Sequence, residues 1–96
     1  MIRHVVLFRL KKDEYEETLS LGAKMLKALP ETIQEIRSFE VGCNIREDEK
    51  AYSLALVSTF DNQKDLDIYA VHPEHRKFVD FIVPRSESIA EMDYNV

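Results

Sequence analysis

The residues of this chain that could carry out chemistry are concentrated in one segment, Leu66–Phe78. Tyr69, His72 and His75 lie within it, so it holds two of the three histidines in the sequence. An imidazole can take up a proton near neutral pH, and a phenol can donate a hydrogen bond to an oxygen that gains negative charge. We therefore predict that His75 and Tyr69 form the catalytic pair of any proton-transfer site in this chain.

Pro73 divides this segment between two helices, because its ring fixes φ and its nitrogen has no hydrogen to donate inside a helix. Tyr69 then lies at the end of the first helix, and His75 lies in the first turn of the second. The positive end of the second helix dipole disfavours an imidazolium, so we expect His75 to be neutral. His72, directly before the proline, is expected to stabilise the junction through a backbone hydrogen bond.

The spacing of His72 and His75 would also suit two ligands of a transition metal, since imidazole is a common metal ligand. No third ligand is evident nearby, and Glu74 is expected to point away from a site formed by these residues. The single cysteine, Cys43, excludes an internal disulfide and any site built from several cysteines. There is no glycine-rich phosphate loop either, so we predict no metal and no other cofactor.

The remaining sequence predicts the elements that would position this segment. Strands are expected over residues 2–10, 38–42, 51–60 and 86–94, and helices over residues 14–29, 63–70 and 73–84. Asp13 and Glu16 match a capping box at the start of the first helix. The order β-α-β-β-α-β predicts an α+β, ferredoxin-like fold, with a four-stranded antiparallel sheet and helices on one face. We expect residues 1–96 to form this single domain.

Composition and charge argue against several classes of partner. A net charge of −5 disfavours nucleic acids and anionic membrane surfaces, since both require a basic face. No apolar run approaches the roughly 18 residues needed to span a bilayer. The apolar stretch Val5–Phe8 near the N-terminus is too short for the core of a signal peptide. We therefore expect a cytoplasmic protein with no nucleic-acid partner and no membrane partner.

The first and third predicted strands are apolar on both faces. Val5 and Leu7 point to the side of the sheet that no helix covers, and so do Ala55 and Val57 of the third strand. Burying a large apolar side chain contributes about 1.5–3 kcal/mol, so we expect a second sheet to cover this face. A two-fold copy of the same chain is the simplest cover. The sequence thus predicts a homodimer through the sheet face, in which two chains form a dimeric α/β barrel.

Several short motifs, taken together, are similar to those of one known family. They are His4–Phe8, Leu29-Pro30, Phe39–Gly42, Ser58–Phe60, Asp67–Tyr69 followed by His72–His75, and Asp93-Tyr94. On these motifs the chain resembles the stress-responsive dimeric α/β-barrel (Dabb) family over nearly its whole length. The resemblance implies homodimers joined through their sheets. Most members have no assigned function, while plant members include heat-stable stress proteins and a polyketide cyclase that needs no cofactor.

The resemblance also implies a cavity inside each subunit, between the sheet and the helices. His4, Tyr69 and His75 would face this cavity, with Tyr69 and His75 as its acid/base pair. Its apolar, substrate-binding walls would be formed by Val6, Phe8, Leu19, Phe39, Leu56 and Phe78. Thr18, Leu19 and Gly22 stand where the plant cyclase has bulky aromatic residues, so we expect a differently shaped cavity.

Two functions from different classes remain open. In the first, which we favour, the chain binds a small apolar or aromatic metabolite without changing it. In the second, the chain is a cofactor-independent lyase, cyclase or isomerase, in which His75 and Tyr69 act on a ketone or an enol. A purely structural role also remains open for His4 and Tyr69, since a buried aromatic side chain often only completes a core.

Overall fold

The structure, a computed structural model, describes every residue from 1 to 96 and contains four strands and three α-helices. The strands are β1 (Ile2–Leu10), β2 (Ser38–Cys43), β3 (Leu54–Phe60) and β4 (Ser86–Asn95). The helices are α1 (Tyr15–Ala28), α2 (Gln63–Val71) and α3 (Pro73–Ile82), and short 3₁₀ turns follow α1 and α3. This β-α-β-β-α-β order, with the second helical segment divided before Pro73, confirms the predicted ferredoxin-like α+β fold.

The strands form one antiparallel sheet in the order β2-β3-β1-β4. The first strand is therefore central, between β3 and β4. Its histidine, His4, lies opposite Ser58 on one neighbour and opposite Asp93 on the other. The sheet thus places residues from the two ends of the sequence side by side.

Alternation along β1 separates the two faces of the sheet. The side chains that point to the helices are buried: His4, Val6, Phe8 and Leu10. Those that point away are only half-buried: Arg3, Val5, Leu7 and Arg9. The apolar members of the buried set belong to a core of 14 residues from β1, β3, the three helices and the segment after α1. Because burial of each large side chain contributes about 1.5–3 kcal/mol, this core supplies most of the favourable free energy of folding.

Close packing of α1 against α3 depends on a glycine. A Cβ atom on Gly22 would lie only 3.2 Å from Cδ1 of Ile82 and 3.6 Å from Cδ2 of Leu54. The missing side chain lets the helices approach, and Phe78 and Ile82 are almost completely buried between them and the sheet. None of the three helices has the length and apolar character that a membrane crossing requires.

The starts of α1 and β3 differ from the prediction for identifiable reasons. The capping box at α1 is wrong, because Glu14 precedes the helix with a left-handed backbone (φ 54°), and no side chain caps it. The turn before the helix leaves Asp13 outside the cap position. The third strand begins at Leu54 rather than Ala51, because the Ala51 amide closes a loop turn by donating to the Asp48 carbonyl at 2.9 Å.

Candidate functional site

Two capping side chains hold the helices that carry the predicted site. Asn62 precedes α2, and its side-chain oxygen accepts a hydrogen bond from the Asp65 amide at 2.9 Å. His72 both ends α2 and precedes α3, and its Nδ1 accepts from the Glu74 amide at 3.1 Å. Its backbone is extended, as the residue before Pro73 requires. The prediction that His72 stabilises the junction through a backbone hydrogen bond is confirmed.

This junction brings Tyr69 and His75 into contact, with their ring centroids 4.3 Å apart. The Nδ1 atom of His75 lies 3.0 Å from the carbonyl oxygen of Ala70. Because a carbonyl oxygen can only accept, Nδ1 carries the hydrogen of this bond. A neutral His75 ring therefore has its lone pair on Nε2, which leaves that nitrogen able to take up a proton.

Burial favours the uncharged form of both rings. It lowers the pKa of His75, and the charges of the other two histidines and of Arg76 lower this pKa further, against the opposing hydrogen bond to Ala70. Burial also raises the pKa of the Tyr69 hydroxyl. The main cause of the lowered His75 pKa is thus desolvation, rather than the helix dipole that the sequence suggested.

The hydroxyl group of Tyr69 has no hydrogen-bond partner, although the residue is only 1% exposed. The phenol ring is surrounded by the rings of His4, Phe39, Phe60 and His75. Buried hydroxyl groups usually have a partner, because an unpaired one costs about 1–3 kcal/mol. The fold therefore holds a free hydrogen-bond donor that an incoming oxygen atom could satisfy.

A cavity of about 330 Å³ lies between the sheet and helices α2 and α3, and the rings of Tyr69 and His75 both border it. Seven of the predicted site residues line the cavity: His4, Val6, Phe8, Leu56, Tyr69, His75 and Phe78. Further apolar walls come from the helices and the last strand: Leu66, Val79, Ile82 and Ile89. The fold thus brings the three predicted polar side chains to one mainly apolar space, and their roles toward a ligand stay a prediction.

Two of the predicted wall residues lie elsewhere. Leu19 borders a separate cleft at the opposite end of the sheet, because no residue of α1 reaches the cavity. Phe39 lies against the ring of Tyr69, with centroids 6.2 Å apart, and supports that ring without lining the cavity. Thr18, Leu19 and Gly22 do not line the cavity, but the position of Gly22 lies against Phe78 and Ile82, which do, so the expected effect on the cavity's shape stays a prediction.

The sequence did not reveal the carboxylates at the edge of the cavity: Asp67 on α2, and Glu91 and Asp93 on β4. Asp93 Oδ1 accepts a hydrogen bond from Nδ1 of His4 at 2.5 Å. Alternation along β4 could have grouped Ile89, Glu91 and Asp93 on one face. The pairing of Asp93 with His4 depends on the register between β4 and β1, which neither strand specifies alone.

The remaining ionisable groups of the segment are used in local contacts. His72 and His75 each engage Nδ1 in a backbone hydrogen bond. Glu74 does not line the cavity, as expected, and its carboxylate lies 3.1 Å from Nζ of Lys77. No group of three His, Cys, Asp or Glu side chains converges in a geometry that could hold a metal ion.

Comparison with known sequences relates this fold and cavity to one family. The family model described as the stress responsive A/B barrel domain matches residues 2–96. An uncharacterised protein of Streptomyces coelicolor is 35% identical over 78 residues, which cover 79% of this chain and 80% of that protein. The match to the family model spans the first strand, the α2–α3 junction and the last strand, so it includes every element that borders the cavity.

Solved structures give the same architecture. A dimeric protein of unknown function and ferredoxin-like fold from Bacteroides fragilis has a TM-score of 0.90 at 35% identity, covering 99% of this chain and 95% of its own. A hydroxynitrile lyase from Passiflora edulis has a TM-score of 0.86 at 19% identity, covering 99% and 92% of the two chains. At that identity the second likeness shows the fold alone.

Proposed function

This chain belongs to the stress responsive A/B barrel domain family, and on that premise we propose that it binds a small apolar or aromatic compound in its cavity. The compound carries a carbonyl or a similar oxygen that can accept one hydrogen bond. The relative of known structure from Bacteroides fragilis is itself described as having unknown function. The chemistry of the site, rather than the family, therefore supports this proposal.

The unpartnered hydroxyl of Tyr69 is the observation that carries the proposal. It is a buried donor without a partner, on a residue that lines a mainly apolar cavity. Cavities with few polar groups and many apolar ones are typical of ligand sites, where the apolar walls supply affinity and the polar groups fix orientation. A ligand oxygen that accepts from Tyr69 would remove the cost of leaving this donor unpaired.

The size of the cavity supports a small ligand. About 330 Å³ lies near the lower end of the roughly 300–1,000 Å³ that ligand pockets occupy. Val6, Phe8 and Phe78 provide flat or branched apolar surfaces on the sheet and on α3. A compound with one aromatic ring and one carbonyl group fits this combination of volume and surface.

Binding of simple aromatic ketones tests the proposal. Acetophenone and benzoylacetone should raise the melting temperature, since a ligand that binds only the folded chain stabilises it. Tyr69→Phe should weaken their affinity by about 3–10-fold, the value of one hydrogen bond. Tyr52→Phe is the matched control, because the Tyr52 hydroxyl bonds to Ser88 in the other cleft. No binding by any such ketone, or equal effects of the two variants, would contradict the proposal.

Proton transfer is a second candidate function, supported by the contact between His75 and Tyr69. In this reaction Nε2 of neutral His75 takes a proton from the carbon next to a ketone carbonyl. The C–H bond breaks, and its electron pair moves through the new C=C bond to the carbonyl oxygen. Tyr69 donates a hydrogen bond to the resulting enolate oxygen. Return of the proton from the imidazolium to the same or another carbon completes an exchange or an isomerisation.

Deuterium exchange measures this step even when the natural substrate is not known. Wild-type protein in D₂O should accelerate the loss of the α-hydrogen signals of a bound ketone in an NMR spectrum. His75→Gln should slow this exchange by about 10²–10⁴-fold, as removal of a positioned base does. The melting temperature should change little. A ketone that binds without accelerated exchange would leave binding as the function and exclude His75 as a base.

We also infer that the chain is a homodimer through the open face of its sheet. The half-buried side chains of that face include Val5, Leu7 and Val57, and Met92 of β4 is 64% exposed. The relative from Bacteroides fragilis is described as dimeric, which supports the same assembly here. A stable interface of this kind buries more than about 1,200 Å². Light scattering should give twice the chain mass of 11.2 kDa, and a monomer at micromolar concentration would contradict the inference.

A cytoplasmic location completes the proposal. Its support is the free, exposed thiol of Cys43, since free thiols are typical of reducing compartments. Fractionation of cells that express the protein at natural levels should recover it with cytoplasmic markers. Recovery with membranes or outside the cell would contradict this location.

A further inference from the structure

The charges at the mouth of the cavity are all of one sign. The lining contains three carboxylates and no lysine or arginine: Asp67, Glu91 and Asp93. These three residues are exposed, whereas Tyr69 is buried. The carboxylates therefore lie nearer to solvent than the free hydroxyl does.

No permanently charged base compensates these carboxylates. The ion pairs that involve lysine or arginine lie elsewhere: Arg37–Asp61, Arg46–Asp48 and Lys77–Glu74. Asp93 accepts from His4, and Asp67 accepts from the uncharged side-chain amide of Gln63 at 2.9 Å. Glu91 forms no ion pair. The acidic side chains of the lining therefore outnumber its basic ones, and none of them is paired with lysine or arginine.

The lysine and arginine residues on neighbouring helix turns do not add a positive charge to the cavity lining. Lys64 and Arg76 belong to α2 and α3, but neither borders the cavity. A ligand carboxylate at the mouth would thus approach like charges with no cation to accept it. An ammonium group there would approach three groups of opposite charge.

We propose that the cavity selects its ligand by charge: it takes an uncharged carbonyl compound or one with an amine at its far end, and it rejects carboxylic acids. This inference rests on the proposed function, because it assumes that the carbonyl oxygen lies against Tyr69. With the carbonyl against the buried hydroxyl, the far end of a one-ring compound would extend toward the exposed carboxylates of the lining. The sign of its charge there decides whether binding is helped or opposed.

Three acetophenones that differ only in the para substituent test this selection. They are para-methylacetophenone, which is uncharged, para-(aminomethyl)acetophenone, which is cationic, and para-acetylbenzoate, which is anionic. Calorimetry near neutral pH at about 0.01 M salt should give an acid about tenfold weaker than the uncharged ketone and an amine at least as tight as it. At about 1 M salt the Debye length falls to about 3 Å, so the differences should shrink to about twofold.

A charge-neutral substitution at the mouth provides the matched comparison. Glu91→Gln should bring the affinities of the acid and the uncharged ketone about threefold closer at low salt, because one of the three repelling charges is removed. Glu87→Gln is the control, since Glu87 lies on the same strand but borders the other cleft. It should leave the difference unchanged.

The outcomes separate this inference from the proposed function. Equal affinities for the three compounds at low salt would overturn the charge selection while leaving the binding function in place. An identical response to Glu91→Gln and Glu87→Gln would also overturn it, since the selection would then arise from net charge. If none of the three compounds binds at any salt concentration, both the selection and the proposed function are wrong.

Discussion

Alternate side chains of β1 point to the two faces of the sheet, and the two sets have different surroundings. On the helix side Val6 and Phe8 are each 5% exposed, within a packed core. On the open side Val5 and Leu7 remain half-buried, with no element of this chain above them. Apolar side chains alone therefore do not distinguish the faces. The polar ones do, because on the helix side His4 lies within the apolar face and borders the cavity.

The polar groups of the open face have a different arrangement. The Arg3 guanidinium lies 5.9 Å from the ring centroid of Tyr94, and that of Arg9 lies 4.7 Å from the ring centroid of Tyr52. These cation–π contacts occupy the two ends of β1 and leave the apolar centre between them uninterrupted. The comparison teaches that a polar residue inside an apolar face indicates a site, while polar residues that frame such a face indicate an interface.

A charge in the centre of the open face should produce the largest effect. Leu7→Glu places a carboxylate between Ala55 and Ala90 in the proposed interface, and taking a charge out of water costs several kcal/mol. We expect the dimer to dissociate in light scattering at micromolar concentration. Leu21→Glu is the matched control, because Leu21 is 50% exposed on α1 and should tolerate the charge. A dimer that survives Leu7→Glu would assign the interface to another surface.

The second largest effect should come from the α2–α3 junction, which holds one wall of the cavity. His72→Ala removes the hydrogen bond from the Glu74 amide, and loss of a helix cap costs about 0.5–2 kcal/mol. Urea unfolding should report a destabilisation within this range. His72→Asn should recover most of it, because asparagine is among the best capping residues. Equal stability of the alanine variant and the wild type would show that the cap contributes nothing.

Removal of the free hydroxyl should have an opposite, smaller effect on stability. Tyr69→Phe deletes a donor that has no partner, so no hydrogen bond is lost and the cost of leaving it unpaired disappears. We expect the free energy of unfolding to be unchanged or up to about 1 kcal/mol higher, although ligand binding weakens. A fall of several kcal/mol in urea unfolding would mean that the hydroxyl has a structural partner, and that the residue belongs to the core alone.

Much of the fold could be predicted because its signals are local. Alternation identifies β1, and Pro73 locates the break between α2 and α3 to the residue. The site could be predicted only in part. Tyr69 and His75 are close in sequence, so their contact follows from the turn between them, whereas the contact between His4 and Asp93 depends on strand register.

Two of the predicted wall residues, Leu19 and Phe39, do not line the cavity, and each has a physical reason. Leu19 is on α1, and the apolar stripe of a helix does not specify which end of the sheet each of its residues covers. Phe39 contacts the ring of Tyr69, which lines the cavity, but does not line the cavity itself. The free state of the Tyr69 hydroxyl could not be predicted either, because it depends on everything that surrounds the ring.

The smallest predicted effect is a pH dependence of stability that arises from His75, on the helix side of the sheet. Burial lowers the pKa of His75 below the value of about 6.5 that the unfolded chain should show. Between the lowered pKa of the folded chain and the pKa of the unfolded chain, the unfolded chain binds more protons than the folded one. The free energy of unfolding should therefore fall as the pH decreases below about 6.5. Above that pH this residue should contribute no slope, since the ring is neutral in both states.

His75→Gln should remove this part of the pH dependence. Unfolding in urea, measured from about pH 8 to pH 5 at one protein concentration, should give a shallower decline for the variant below pH 6.5. A fixed concentration is needed because the stability of a dimer depends on it. Leu21→Glu, at an exposed position of α1, should leave the slope of the wild type intact in this pH range. Identical slopes for wild type and His75→Gln would mean that His75 titrates normally in the folded chain. The neutral base required for proton transfer would then be absent at acidic pH.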